Sequence, residues 1–236
     1  MGRAFEYRKA TKFARWDRMA KQFTRAGREI VMAVKAGGPD PEYNPSLRRA
    51  VQNAKGVNMP KDRIEAAIKR ATSKDEKDYT EIVYEGMGPN GVAIIVETAT
   101  DNPTRTVANV RAIFNKKGGS LGTSGMHDFL FNRKGVFKFK AEGHDMEELE
   151  LELIDFGLDS LEKDGDFLVI YTAFQDFGQM QKALEEKGIE VKQAKLERIP
   201  LTYKEVTEEQ VADVTKLLDK LEEDEDVQAV YHNMEE

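Results

Sequence analysis

"GVFKFKAEGHDMEELELELIDFG", residues 135–157, changes its hydrophobic period halfway along. The first part alternates, with Val136, Phe137 and Phe139 as candidate core residues of a strand. The second part, "DMEELELELIDFG", spaces its leucines and isoleucine as an acidic amphipathic helix does. Farther on, "FLVIYTA" reads as a buried strand, "DFGQMQKALEEKG" as a helix with glycine after it, and "IEVKQAKLERIP" as a strand. From 135 to 198 the order is therefore strand, helix, strand, strand, helix, strand. That is the split βαβ order of a ferredoxin-like unit, with helices on one face of an antiparallel sheet.

Working outward, "EIVYEG" and "GVAIIVETA" are expected strands joined by a turn at "GMGPNG". "NPTRTVANVRAIFNKKGG" is an expected helix capped by Asn102 with Pro103 in its first turn, and "HDFLF" an expected strand. On the far side, Thr207 opens the helix "TEEQVADVTKLLDKLEED", with Glu209 and Gln210 near the reciprocal capping position, and "VQAVYHN" is a closing strand. These flanking pieces make a second α/β unit whose sequence the first one interrupts.

The N-terminal third has a different character. From Tyr7 to Lys35, Phe13, Trp16, Ala20, Phe23, Ile30 and Val34 recur at the spacing of one helix face. Arg8, Lys12, Arg15, Arg18, Lys21, Arg25 and Arg28 follow the same spacing, roughly 200° away around the helix. Gly27 either divides this region into two helices or weakens one. Gly37 and Gly38 suit a helix stop, Asn44 before Pro45 a helix start, and Pro60 opens a further helix whose buried side is Ile64, Ala67, Ile68 and Ala71. The link at 36–44 is longer than the three or four residues usual in a helix-turn-helix. "TSKDEKD" at 72–78 is the exposed linker.

The fold class expected is α+β and multidomain: an N-terminal three- to four-helix domain followed by two α/β (ferredoxin-like, antiparallel sheet) domains, one inserted in the other. The domain boundaries expected are 1–76, 77–133 plus 200–236, and 134–199.

Composition narrows the function. The 236 residues contain no cysteine, which excludes disulfides, thiolate metal sites and cysteine nucleophiles. No apolar run approaches the roughly 18 residues of a membrane helix, and Arg3, Glu6, Arg8 and Lys9 stand where a signal peptide needs apolar residues, so a cytoplasmic protein is expected. The formal charge of -7 conceals a division. Residues 1–74 hold 18 Lys/Arg against 7 Asp/Glu, a net of +11, and residues 75–236 hold 18 against 36, a net of -18. A basic module on an acidic body points to a polyanionic partner.

The glycine-rich "NKKGGSLGTSGMHDFLF", 115–131, resembles a phosphate loop only superficially. Its glycines follow a helix, whereas a phosphate loop places them before a helix N-terminus, and the lysine-serine signature is missing. Ser124, His127 and Asp128 are sequence neighbours without nucleophile-elbow spacing, so no catalytic residue is assigned. His127, His144 and His232 are too widely separated for a helical metal pair and are expected at solvent or strand ends. The acidic runs Glu147–Glu152 and Glu222–Asp226 fall on amphipathic helices as solvated faces. No enzyme, metal, cofactor or small-molecule substrate is expected.

The candidate nucleic-acid-binding residues are Arg8, Lys12, Arg15, Arg18, Lys21, Arg25, Arg28, Arg48, Arg49, Lys55, Lys61, Arg63, Lys69 and Arg70, which could neutralise several phosphates. Arg105, Lys116 and Lys117 join them. Gly118, Gly119, Ser120, Gly122, Thr123 and Gly125 form a candidate effector loop, since glycine lets the backbone approach a partner closely. The alternative for that segment is a plain structural loop at a domain junction.

"YEGMGPNGVAIIVETATDNPTRTVANVRAIFNKKGGSLGTSG", "AGGPDPEYNPSLRRAVQNAKGVNMPKDRIEAAIKRA" and "DKLEEDEDVQAVYHN" resemble the YebC/PmpR family, which includes the mitochondrial translational activator of cytochrome oxidase subunit one. The resemblance covers nearly the whole chain. It implies a helical domain and two α/β domains, and a non-enzymatic role in gene expression. The partner it implies is ribosomal RNA and the ribosome, with promoter DNA as the alternative. The sequence departs from the family pattern in "GRAFEYRKATKFARW", where most members carry His-Ser-Lys-Trp, and at Pro103, where an arginine is usual.

Overall fold

The computed structural model describes residues 21–73 and 75–235, and the chain divides into two compact units, 1–79 and 80–236. In the first unit, α1 is helical over 21–37, α2 spans Pro45–Gly56 and α3 spans Lys61–Ala71. Helix α1 runs unbroken through Gly27. A glycine costs a helix about 1 kcal/mol, and the packing of Ala26, Ile30, Val31 and Val34 into one core with Leu47, Ala54, Ile64 and Ala67 outweighs it. The expected core positions Phe13, Trp16 and Ala20 lie outside the described residues.

Asn44 joins the first two helices. Its side chain accepts from the Leu47 N–H at 3.0 Å, capping α2, and donates to the carbonyls of Ala33 at 2.7 Å and Gly38 at 2.9 Å. Pro45 occupies the first turn, where no N–H is needed. Pro60 precedes α3 as its cap residue, and its carbonyl accepts from the N–H groups of Arg63 and Ile64.

The second unit holds two four-stranded antiparallel sheets. The first has the order β3-β1-β2-β8, built from β1 (Thr80–Met87), β2 (Ala93–Thr100), β3 (Ser120–Leu121) and β8 (Val227–His232). Helices α4 (Pro103–Lys116) and α7 (Glu208–Glu222) cover one face, where Val110, Phe114, Val214, Leu217 and Leu221 meet Val92, Ile94, Val96 and Val227. The other face of β2 packs Ala93 and Ile95 against Phe131. Being buried on both faces, β2 reads as a continuous apolar run. Thr207 and Gln210 form the reciprocal capping box of α7.

The second sheet has the order β5-β6-β4-β7 and comes from the intervening chain: β4 (Phe131–Lys140), α5 (Met146–Leu153), β5 (Leu158–Asp164), β6 (Phe167–Ala173), α6 (Phe177–Glu186) and β7 (Val191–Pro200). This is the ferredoxin-like arrangement. Phe137, Phe139, Leu168 and Ile170 pack under Leu149, Leu153, Met180 and Leu184 of the two helices. Phe137 stacks on Phe177 with ring centroids 4.7 Å apart.

One expected element is corrected. "HDFLF" is not a strand: residues 124–130 form successive turns, and the strand of this region is the two-residue β3 inside the glycine-rich segment. The reason is a side chain. Glu85 takes the N–H groups of Gly125 and His127, so this stretch is fastened to β1 by a carboxylate instead of a backbone ladder.

Candidate nucleic-acid interface

In the first unit the cations separate into two sets. Lys55, Lys61, Arg63, Lys69 and Arg70 are exposed on α2 and α3, whereas Lys21, Arg25, Arg28, Arg48 and Arg49 are half-buried. Arg28 and Arg48 illustrate local work of the half-buried set. Arg28 lies over the Tyr79 ring at 5.1 Å, and Arg48 donates through Nη1 to the Pro41 carbonyl at 2.8 Å and the Glu42 carbonyl at 3.3 Å. Among the exposed set, Lys61 pairs with Glu65 at 3.6 Å and Arg70 with Glu76 at 3.3 Å, pairings worth little in water. Arg8, Lys12, Arg15 and Arg18 lie outside the described residues.

Helices α2 and α3 are linked by four residues, 57–60, with Asn58 at φ 61°. This link, and not the longer one at 36–44, has helix-turn-helix length. Sequence reasoning missed it, although Gly56 and Pro60 bracket it.

In the second unit, Lys116 and Lys117 are exposed at the end of α4, as are Gly118, Ser120, Gly122, Thr123, Ser124 and Gly125; Gly119 is half-buried. The underside of this loop is tightly built. Gly119 N–H donates to the Phe114 carbonyl at 2.9 Å and Gly122 N–H to the Glu85 carbonyl at 2.8 Å. A Cβ on Gly86 would stand 2.7 Å from both the Phe114 ring and the Ser120 carbonyl, so only glycine allows the loop to close over β1. The Glu85 side chain, 4% exposed, accepts from Gly125 N–H and His127 N–H, both at 2.7 Å. His127 is 1% exposed and its Nε2 donates to the Gly86 carbonyl at 2.9 Å. His127 is thus a buried fastening and not a solvent or strand-end residue. Sequence reasoning missed Glu85, whose one signal was a charge inside the strand "EIVYEGM".

Arg105 has an intramolecular role. Its Nη2 donates to Asp226 at 2.7 Å and Asp101 at 2.9 Å, and these hydrogen bonds, Asp226's first, hold the guanidinium pKa above its ordinary value. Asp226 also accepts from Thr106 Oγ1 at 2.7 Å and Thr100 Oγ1 at 3.2 Å.

Beside β7 and β8 lies a groove of about 660 Å³ whose lining includes Glu197, Arg198, Tyr203, Tyr231 and Glu235. Arg198 donates to Glu97 at 2.8 Å. Burial first, then the negative charges of Glu97 and Glu197, push the Tyr231 hydroxyl upward. Burial raises the Glu197 carboxyl pKa, Lys195 opposes the rise, and the negative charge of Glu97 adds to it. Because the folded value lies above the ordinary 4.5, ionisation of Glu197 penalises the fold as pH rises through it, and the penalty is absent below 4.5. Glu197→Gln is therefore expected to raise the melting temperature at pH 7 and to leave it unchanged below 4.5; an equal gain at both would rule out burial of the charge as the cause. Among the described residues no three His, Asp or Glu side chains gather to hold a metal ion, and no helix is long and apolar enough to cross a membrane.

The sequence pattern of the TACO1/YebC N-terminal domain matches residues 3–74, and that of the TACO1/YebC second and third domain matches 79–234. The chain belongs to the TACO1/YebC family. Relatives named "probable transcriptional regulatory protein" are 61% identical in Cytophaga hutchinsonii, over 100% of this chain and 99% of that one, and 60% identical in Parabacteroides distasonis, over 100% and 98%. A third, from Anaeromyxobacter dehalogenans, is 54% identical over 99% of this chain and all of its own. Among solved structures, a conserved hypothetical protein from Aquifex aeolicus shares the TACO1/YebC fold with a TM-score of 0.79 and 38% identity, covering 92% of this chain and 90% of that one.

Proposed function

We propose that the chain is a non-enzymatic regulator of gene expression that binds nucleic acid through its first unit, and that its partner is ribosomal RNA on the ribosome, in the cytoplasm. The observation that carries this is the charge division: net +11 in residues 1–74, with Lys55, Lys61, Arg63, Lys69 and Arg70 in solvent, against net -18 in the remainder. Such a surface neutralises phosphates by counterion release while the acidic body limits indiscriminate adhesion. Three domains, 1–76, 77–133 with 200–236, and 134–199, divide the work. The helical domain docks, and the others present the 115–126 loop with Lys116 and Lys117 at its base.

Promoter DNA is the second reading, favoured by the four-residue α2–α3 link and by the relatives' being named probable transcriptional regulatory proteins. Against it, the first turns of α3 carry Asp62 and Glu65, both exposed, where a recognition helix meets the groove.

Sedimentation with ribosomes at near-physiological salt, with excess duplex DNA as competitor, tests the choice. Retention with the ribosomes is expected; transfer to the duplex would establish the DNA reading instead. Charge reversal of Lys61, Arg63 and Lys69 together should lower the slope of log affinity against log salt by roughly two to three units, about one for each phosphate no longer neutralised. An unchanged slope would remove α3 from the interface.

A further inference from the structure

Glu85 is a costly residue for a plain turn. It is a carboxylate 4% exposed with no cationic partner among the described residues, and burying such a charge costs several kcal/mol unless its oxygens are well used. Both oxygens are used on one target, the backbone of the glycine-rich loop, at Gly125 and His127. The Glu85 carbonyl takes Gly122 N–H as well, and the Gly86 carbonyl takes His127 Nε2. Two consecutive residues of β1 therefore hold the inner edge of the loop from Gly122 to His127. Its outer edge, with Lys116, Lys117, Gly118 and Gly122 to Gly125, is left in solvent.

We propose that Glu85 is the positioning residue of this loop, holding it in one preset conformation so that its exposed backbone and the two lysines meet a phosphate-bearing RNA surface without first being ordered. This rests on the role given to the loop in the proposed function. Fixing a residue's backbone costs conformational entropy, so a loop ordered in advance over 118–125 spares the complex a large part of that cost. The carboxylate is suited to the task because it only accepts. Both N–H groups are satisfied at once, whereas a glutamine would turn an NH2 group toward one of them.

The absence of cysteine from the chain makes a direct test simple. Ser124→Cys at the exposed loop tip offers a single attachment point for a nitroxide label, and amide exchange at Gly125 and His127 reads the fastening itself. In Glu85→Gln the label should become several-fold more mobile and exchange at those two amides should rise by roughly 100-fold, while the helices of the first unit exchange as before. Ribosome affinity should fall about tenfold with the salt slope of the first unit retained. Should Glu85→Gln lose its folded melt, Gly125→Ala provides the same test from outside: its φ of +83° strains any side chain, and the residue is exposed. Wild-type binding combined with unchanged exchange, or with unchanged affinity, in these variants overturns the inference alone. A wild-type chain that ignores ribosomes overturns the functional reading and the inference with it.

Discussion

Asp226→Ala should cost the second unit about 2–4 kcal/mol, because two buried hydroxyls lose a charged acceptor together. Asp226 is 3% exposed and its Oδ2 is the common acceptor for Thr100, Arg105 and Thr106, while its own carbonyl takes the Ala99 N–H at 2.9 Å. The residue stands between α7 and β8, and its partners belong to the end of β2 and the start of α4, so it ties the last strand to the helix that leads into the glycine loop. Without the carboxylate two buried hydroxyls lose an acceptor and Arg105 is left with Asp101. Arg105→Ala should cost less, because Asp226 keeps the hydroxyls of Thr100 and Thr106 as donors and the lost guanidinium is 45% exposed. Denaturant melts of the two variants check the asymmetry. Equal losses would mean that the ion pair, not the buried acceptor, holds the corner.

In the first unit the corresponding experiment is Asn44→Ala, with an expected loss of about 2–3 kcal/mol. A cap alone is worth about 1 kcal/mol. Asn44 is more than a cap, because its amide also satisfies the carbonyls of Ala33 and Gly38 at the end of α1, and all three groups lose their partner together. Since a chain of two units need not melt as one transition, the readout is amide exchange in α1 and α2. Faster exchange at the end of α1 as well as the start of α2 is expected. A change confined to α2 would reduce Asn44 to an ordinary N-cap.

Both residues show how far the chain can be read in one dimension. Asn44 before Pro45 announces a helix start from two adjacent letters, as Asn102 before Pro103 and Thr207 with Gln210 do, because capping is satisfied within three or four residues. The strand-helix-strand-strand-helix-strand order of 135–198 is equally local, since a period of two or of 3.6 is imposed by the nearest sheet or helix neighbour. The charge division needs only counting. The closure of α1 by Asn44, by contrast, depends on where Ala33 and Gly38 come to rest.

What sequence by itself determined about this protein is therefore its elements, most of their caps, the ferredoxin-like order of the second sheet and the basic character of the first unit. Tertiary structure alone decided that α1 passes unbroken through Gly27, that "HDFLF" turns instead of pairing, and that Glu85, His127 and Asp226 are buried. It also decided which cations reach solvent. The physical reason is distance along the chain: Glu85 meets its partners about 40 residues away and Asp226 at least 120 residues away, and no local pattern reports what such a carboxylate will find when the chain closes. A charge in a strand is read as exposed until its hydrogen-bond donors are known.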